Sequence, residues 1–514
     1  METINQQNKS EKTLFETMEQ INKPENPVLE HNTIFFFVTA LIYSICFAIA
    51  FYKNYVGLTF PLITIATLAV CGLFLKKSGI VWKTQNLYYI VPIVLLGIST
   101  IFTTNGFTVF FNTAGILLLI TVFMMQQVYP DKKWNLGQYT CNLLFLYICM
   151  IPEIAAPFSN IGKYFRRKRV KEVKNTNTKY IVRGILIGFP MLIFVMALLN
   201  SADAVFSKYI GGGFRFICEN ILLSPNIVLV AALMIIGFFG IYTFLSALTL
   251  NNMPEWGTKK AKKNPITAVT FTSMITAVYL IFCVIQIVFL FSGGMILPEG
   301  YTYAEYAHQG FFQLLFLCIF NLIMVLCCIA MFQMNRLLKT VLMVFSGCTY
   351  IMIASSAYRM ILYISTYHLT FLRILVLWFL ALLVFLMAGV IWNIQKESFP
   401  LFRYGIAVVT IFYMALSFSH FDYWIAKYNI SQMGNQMSCR DVSYLCSLST
   451  DAVPALIELN LEHDHEGEYD DWNERYWQCP ACELENHLKW VKENADVGVR
   501  TFNFSKYQAV KAVE

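Results

Sequence analysis

Charged residues are scarce in this chain of 514 residues. Only 13% of them are Asp, Glu, Lys or Arg, and 57% are hydrophobic. A typical soluble domain is about 25% charged. A water-soluble globule of this composition would expose large apolar patches, so lipid must surround much of the chain. The scarcity of charge therefore excludes an ordinary soluble protein and makes the lipid bilayer the first expected partner.

Several common catalytic motifs are also missing from the sequence. It contains no GxxxxGK[ST] phosphate loop, no HExxH pair and no GxSxG nucleophile elbow. ATP-driven and intramembrane protease functions therefore have no support. We assign no catalytic residue, no metal ligand and no cofactor, and the sequence favours a non-enzymatic role over an enzymatic one.

The start of the chain does not have the layout of a cleavable signal peptide. Residues 1–32 are mostly polar, so the first hydrophobic segment should remain as a membrane anchor. Composition then divides the chain into a polar N-terminal tail (1–32), a transmembrane helical domain (33–419) and an extramembrane C-terminal domain (420–514).

Long apolar segments follow one another through the central part of the chain. A bilayer core about 30 Å thick needs roughly 20 apolar residues in helical form, because backbone groups in lipid must bond within the segment. We predict an all-α fold, a polytopic transmembrane helical bundle of about 11–12 spans with a small, mostly helical C-terminal polar domain. The predicted spans cover residues 33–52, 56–75, 87–104, 107–126, 181–200, 226–249, 267–292, 311–332, 339–363, 371–393 and 402–419.

A twelfth candidate span at 138–157 is weaker than the others. Its apolar run from Leu143 to Ile151 is flanked by Asn142, Pro152 and Glu153, and an acidic residue near a helix centre costs about 2.5–3.5 kcal/mol. The segment therefore either crosses the membrane or forms a re-entrant or interfacial helix. Glu153 beside Pro152 resembles the broken helices of transport sites, although an interfacial turn is the simpler interpretation.

Basic residues concentrate in short loops rather than on one continuous face. Lys and Arg are abundant at 76–86, 158–180 and 250–266, which predicts that these loops are cytoplasmic and argues against nucleic-acid binding. All three lie on one side if 138–157 is re-entrant, and the C-terminal domain then lies outside the plasma membrane. The loop at 158–180 could also bind anionic lipid, although membrane orientation alone explains its charge.

Five stretches of the sequence resemble a known family. They are NSADAVF (Asn200 to Phe206), YRMILYISTYHLTFLR (Tyr358 to Arg373), WIAKYNI (Trp424 to Ile430), YLCSLSTDAVPAL (Tyr444 to Leu456) and FNFSKYQA (Phe502 to Ala509). In this order, over roughly residues 180–514, they resemble an uncharacterised family of bacterial polytopic membrane proteins catalogued only as a domain of unknown function. The resemblance implies a bacterial cell-membrane protein and supplies no catalytic residue.

A polar patch is the most interesting group of candidate site residues. Asp203 ends one span, Arg359 lies inside another, His368 is in the following loop and Arg373 starts the next span. Ionisable residues at membrane depth are costly unless paired, which makes them candidates for binding an anion or for mutual pairing. The alternative is that the arginines extend to the interface and anchor the helix ends.

The C-terminal domain contains a second, weaker group. Cys479 and Cys482 form a CxxC pair that could be a disulfide or a thiol pair, with Cys439, Cys446, His463 and His465 elsewhere in the domain. The spacing is incomplete for zinc. Asp451 ahead of Pro454 predicts a short helix with Asp as its cap. In the spans, Gln286 and Asn321 are expected to form interhelical hydrogen bonds.

These observations favour two functions, and a third, a membrane enzyme acting on lipid or glycan, has no acid/base pair in the sequence to support it. The first is a multipass membrane protein that transports or senses a ligand, with the polar patch as its site. The second is a membrane scaffold or assembly partner that acts through its C-terminal domain, with a protein partner that the sequence does not identify.

Overall fold

The computed structural model describes residues 27–131, 134–169, 192, 225–249, 253–254, 262–288, 311–434, 437–461, 480–494 and 498–514. In these ranges every regular secondary-structure element is a helix, and the one β-type contact is an isolated bridge between Lys263 and Phe332. The all-α prediction is confirmed. Apart from residue 192, the predicted span at 181–200 falls outside the described residues.

Most predicted spans correspond to long apolar helices. Within the described ranges nine helices are long and apolar enough to cross a membrane, counting α6 and α7 together as one. A short helix, α1 (Pro27–His31), precedes them. The long helices are α2 (Thr33–Phe51), α3 (Thr59–Lys77), α5 (Gly106–Val128), α6 (Leu136–Met150) with α7 (Ala156–Arg169), α8 (Pro225–Ala247), α9 (Pro265–Gln286), α10 (Phe311–Met331), α11 (Arg336–Tyr367) and α12 (Phe371–Gln395).

Two further predicted spans are shorter or bent. The expected span at 87–104 is α4 (Ile90–Ser99), preceded by a 3-10 turn at Thr84–Tyr89. The last span is α13 (Leu401–Ser417), and α14 (Phe421–Met433) follows it at an angle of 54°. The remaining helices are α15 (Cys439–Cys446), α16 (Val453–Leu456), α17 (Pro480–Asn494) and α18 (Phe504–Val513).

Asparagine side chains mark where several helices begin. Asn105, Asn135, Asn264 and Asn335 each accept a hydrogen bond from a backbone N–H in the first turn of the following helix. The first N–H groups of a helix have no intrahelical partner, and a capping side chain contributes about 0.5–2 kcal/mol by bonding to one. These caps fix the helix starts that hydropathy alone leaves uncertain.

The bundle contains two separate apolar cores. The first joins α2 to α8 around Phe74, Tyr89, Phe123 and Tyr242. The second joins α9 to α12 around Phe345, Met352 and Leu380. Helix α13 contacts α12 and α4, so it links the two cores.

The two ends of the bundle differ in their side chains. One end, which we call the basic end, holds the connections after α3, α5, α8, α10 and α12. Its Lys and Arg residues among the positions whose side chains are described are Lys76, Lys77, Lys83, Lys163, Arg166, Lys262, Lys263, Arg336, Lys339, Lys396 and Arg403. The C-terminal helices cover the opposite end, where Arg500 donates to the carbonyl of Tyr52 at 2.6 Å.

Both ends of helix α6 lie at the basic end of the bundle. Tyr139 donates to the carboxylate of Asp131, which directly follows α5. Beyond the other end of α6, Glu153 accepts from Ser246 in the last turn of α8 at 2.6 Å. Length and composition would let residues 136–166 cross as one span, but these contacts support the re-entrant or interfacial alternative.

The C-terminal helices form a third, smaller core. Phe421, Ile425, Val442, Leu445, Leu456 and Leu484 pack together there, and Phe371 and Trp378 of α12 pack against them. Residues beyond 420 therefore share apolar contacts with the bundle. The predicted boundary at 419–420 falls between the end of α13 and the start of α14, and the division into domains there stays a prediction.

The re-entrant arrangement predicts which positions react from the same side of the membrane. Gln85→Cys and Gly162→Cys, both exposed at the basic end, should label with an impermeant maleimide from one side. The native Cys439, exposed on α15, should label from the other. Sealed vesicles of both orientations, made with a variant lacking the other cysteines, provide the measurement. Labelling of Gln85→Cys and Gly162→Cys from opposite sides would mean that α6–α7 crosses the bilayer.

Candidate functional site

A row of polar side chains runs through the second core. These residues, which we call the polar stripe, lie on facing sides of α9, α10 and α11, and all of them are buried. They are Thr272, Thr276, Tyr279, Gln286, Asn321, Ser346, Thr349, Ser355, Ser356 and Arg359. On α9 they are spaced four, three and seven residues apart, which places them on one helical face.

Hydrogen bonds join the three helices along this stripe. Tyr279 donates to Oδ1 of Asn321 at 2.9 Å, and the Asn321 amide donates to Thr349 at 3.1 Å. Nearer the other end, Ser355 donates to Oε1 of Gln286 at 2.6 Å. The predicted interhelical hydrogen bonds of Gln286 and Asn321 are therefore confirmed.

Arg359 is the charged member of the stripe. It is 7% exposed, and it follows Ser355 by one helical turn on the same face of α11. Interhelical hydrogen bonds in membranes average about 0.6 kcal/mol, whereas an arginine near a helix centre costs about 2.5–3.5 kcal/mol. Hydrogen bonds between helices explain the burial of Asn321, whereas an arginine in the same row is a candidate for a functional contact.

Arg373 has a different role from Arg359. Its guanidinium donates to the carbonyls of Tyr367 and His368 at the end of α11 and lies 4.4 Å from the ring centre of Tyr363. A cation at a helix C-terminus satisfies carbonyls that lack intrahelical partners. The contacts of Arg373 therefore favour the anchoring alternative.

The other two residues of the predicted patch are His368 and Asp203. His368 ends α11 with a left-handed backbone (φ 63°). Its Nδ1 is buried and has no hydrogen-bond partner among the described atoms. Asp203 lies outside the described residues. The structure thus puts His368 and Arg373 together at one hairpin, with Arg359 about two helical turns before it.

A polar junction that sequence reasoning missed joins the C-terminal helices to the bundle. The carboxylate of Asp451 accepts from the Thr103 hydroxyl at 2.6 Å and from the Thr104 N–H at 3.4 Å. Thr104 also bonds to Thr450 at 2.7 Å. The predicted short helix after Asp451 is present as α16, but the predicted capping role is wrong, because these threonines hold the carboxylate.

A second buried carboxylate lies in the same junction. Asp422 is 1% exposed and accepts from Asn105 at 2.8 Å and from the Ser449 N–H at 3.2 Å. His420, in a left-handed conformation between α13 and α14, has its Nδ1 3.8 Å from the Asp451 carboxylate. The nearby carboxylate raises the pKa of His420 above its ordinary value of 6.5.

The junction reaches connections that belong to both apolar cores. The Asn503 amide donates to the carbonyls of Thr100 and Thr103, which follow α4. Asn429 bonds to both the N–H and the carbonyl of Leu369, in the loop between α11 and α12. The stretches WIAKYNI, YLCSLSTDAVPAL and FNFSKYQA supply many of these contacts, which is the signal that could have identified the junction.

The cysteines give no further support for a metal site. Among the described residues no group of three or more His, Cys, Asp or Glu side chains could hold a metal. Cys482 is half-buried at the start of α17, and burial raises the pKa of Cys446 to about 11. Cys479, His463 and His465 lie outside the described residues, so the Cys479–Cys482 pair stays a prediction.

Loss of the Asp451 carboxylate should loosen the junction. Asp451→Ala leaves the hydroxyl of Thr103 and the N–H of Thr104 without their acceptor, and a hydrogen bond to a charged group contributes about 1.5–3 kcal/mol. We expect a lower midpoint of thermal unfolding in detergent and faster proteolysis after residue 420. Glu458→Ala, an exposed control on the same segment, should change little. Equal behaviour of the two variants would contradict the assignment.

The His420–Asp451 pair should make the junction sensitive to pH. Since the folded-state pKa of His420 is raised, its stabilising contribution is complete below pH 6.5 and is lost as the pH rises through the folded pKa. Exposed pairs contribute at most about 1 kcal/mol. Between pH 6 and 9, His420→Gln should therefore show a smaller fall in unfolding temperature than the parent chain. His31→Gln, at the basic end, should match the parent, and an unchanged slope for His420→Gln would refute the role.

Comparison with known proteins identifies the family but not an activity. The model of the family described as a domain of unknown function, DUF4153, matches residues 90–459. This range begins before the region suggested by the five stretches and ends before FNFSKYQA. No curated protein and no solved structure matches the chain significantly. The chain is a multipass helical protein that belongs to the DUF4153 family.

Proposed function

We propose that this protein binds a polar ligand inside its membrane bundle, as a transporter-like or ligand-sensing protein. The observation that carries the proposal is the polar stripe with Arg359 near its end. From Ser346 to Arg359 the stripe extends about 20 Å along α11 at 1.5 Å per residue, within an apolar core about 30 Å thick. A buried charge in such a row is a candidate ligand contact.

Arg359 is the principal binding residue in this proposal. A guanidinium offers a planar set of donors that suits carboxylate or phosphate groups, so the ligand class is anionic. His368, from the predicted patch, would complete the site at the end of the stripe, and the part of Asp203 in the patch stays a prediction. Arg373 would hold the hairpin in place through its contacts with the end of α11.

The orientation of the protein follows from its charges. Because the Lys and Arg residues of the short loops between spans concentrate at the basic end, we infer that this end faces the cytoplasm of the plasma membrane and that the C-terminal helices lie outside. Arg359 would then be closer to the outer face. Anionic lipid at the basic loop 158–180 fits the same orientation.

A scaffold function is the second candidate. It is favoured by the C-terminal helices, which the polar junction holds against the bundle while Trp490 and Tyr507 remain exposed. Large exposed aromatic residues on an ordered surface are typical of protein interfaces. In this alternative the helices α17 and α18 would contact another envelope protein.

Thiol labelling tests whether the stripe admits water and anions. Ser356→Cys places a thiol on the stripe three residues before Arg359, whereas Ile361→Cys places one on the exposed, lipid-facing side of α11. We expect Ser356→Cys to react with a charged methanethiosulfonate and Ile361→Cys to remain unreactive, since thiolates do not form in lipid. The anionic reagent should react faster than the cationic one, because Arg359 attracts it.

Adding Arg359→Gln to Ser356→Cys should remove this preference for the anionic reagent. Two charges about 6 Å apart at an effective dielectric of 20 interact by roughly 3 kcal/mol, so the change in relative rate should be roughly tenfold or more. A Ser356→Cys variant as unreactive as Ile361→Cys would show that the stripe is only packing and would overturn the proposal.

A further inference from the structure

A lipid-facing groove lies at the basic end of α3, far from the polar stripe. It has a volume of about 570 Å³ and is lined by Gly72, Leu73, Lys76, Val81 and Trp82 among others. Leu73 is 42% exposed, Trp82 40% and Val81 85%. Because α3 is long and apolar enough to cross the bilayer, this groove opens at the level where the membrane core meets the lipid headgroups.

The groove forms because the chain turns back on itself after α3. Gly79 has a left-handed backbone (φ 67°), which glycine adopts without strain, and the N–H of Ile80 bonds to the carbonyl of Leu75 at 3.1 Å. The returning chain lays the indole of Trp82 over Gly72, where an added Cβ would lie 3.3 Å from the ring. The ring centroids of Trp82 and Phe123 are 6.4 Å apart.

One lysine, Lys76, stands at the mouth of the groove. The structure gives Lys76 no hydrogen bond or ion pair among the described residues, and no acidic residue occurs between 69 and 82. The neighbouring lysines are arranged differently. Lys77 lies 4.9 Å from the ring centre of Phe35, and Lys83 donates to the carbonyl of Tyr129 at 2.7 Å.

We propose that this groove binds an anionic phospholipid. One acyl chain lies along Leu73 and the Trp82 indole, and the headgroup phosphate pairs with the ammonium of Lys76. Three features fit this occupant together: an apolar channel open to lipid, an aromatic ring at the interface, where tryptophan is enriched, and a single unpaired positive charge at the headgroup end. A zwitterionic lipid could fill the channel, but its headgroup would be attracted less strongly by the charge of Lys76.

Quenching by brominated lipids tests the assignment on the full-length chain. Phospholipids brominated on their acyl chains quench a tryptophan that they touch, and subtracting the signal of Trp82→Phe isolates Trp82 from the other tryptophans. We expect brominated phosphatidylglycerol to quench Trp82 at a lower mole fraction than brominated phosphatidylcholine in otherwise identical nanodiscs. Lys76→Gln should weaken this preference about fivefold, the effect of one basic residue near an anionic surface.

The adjacent lysine provides a matched control. Lys77→Gln removes the same charge from the same helical turn but does not line the groove, so the preference for the anionic lipid should remain. If Lys76→Gln and Lys77→Gln reduced the preference for the anionic lipid equally, the preference would come from the general surface charge, and the proposed site would be overturned. Gly72→Leu should displace the indole and remove the quenching difference. Displacement of the lipid by inorganic phosphate at equal concentration would assign Lys76 to free phosphate and also overturn the proposal.

Discussion

The structure depends on one constraint, which is that lipid offers no hydrogen bonds. Every polar group inside the bundle or at a helix end must find its partner within the protein or in water at the surface. Asn105, Asn135, Asn264 and Asn335 meet this need at helix starts, and Asn321 and Gln286 meet it between helices. Arg359 is the buried arginine of the described second core, and the proposal of ligand binding rests on its place in the polar stripe.

The same constraint explains why the C-terminal helices are joined to the bundle. The connections after α4 and α11 present carbonyls and N–H groups at one end of the two apolar cores, and Asn503 and Asn429 bond to them. Buried carboxylates at Asp451 and Asp422 add charge-assisted bonds to threonine, serine and asparagine. The C-terminal helices therefore act as a cap that connects both cores.

Hydropathy and charge predicted most of the architecture because they reflect length and solvent, which are local properties. The long helices and the position of the basic loops followed from them. Contacts between distant residues were not predictable in this way. The sequence around Asp451 predicts a helix cap. Its carboxylate instead accepts a hydrogen bond from the hydroxyl of Thr103, which lies 348 positions earlier in the chain and is buried beside it. Arg359 and Arg373 have the same side chain and similar surroundings in sequence, but only Arg373 reaches the carbonyls at the end of α11.

Hydrogen exchange of the full-length chain in nanodiscs tests most directly whether the C-terminal segment is part of the folded bundle. The amides of residues 444–456 and 503–511 should exchange slowly, close to the rate of the connection at 100–105 that they contact, and Asp451→Ala should speed exchange in all three segments together. Exchange of 444–456 and 503–511 at the rate of an unstructured peptide, with 100–105 still protected, would contradict the proposed cap and the joining of the two cores.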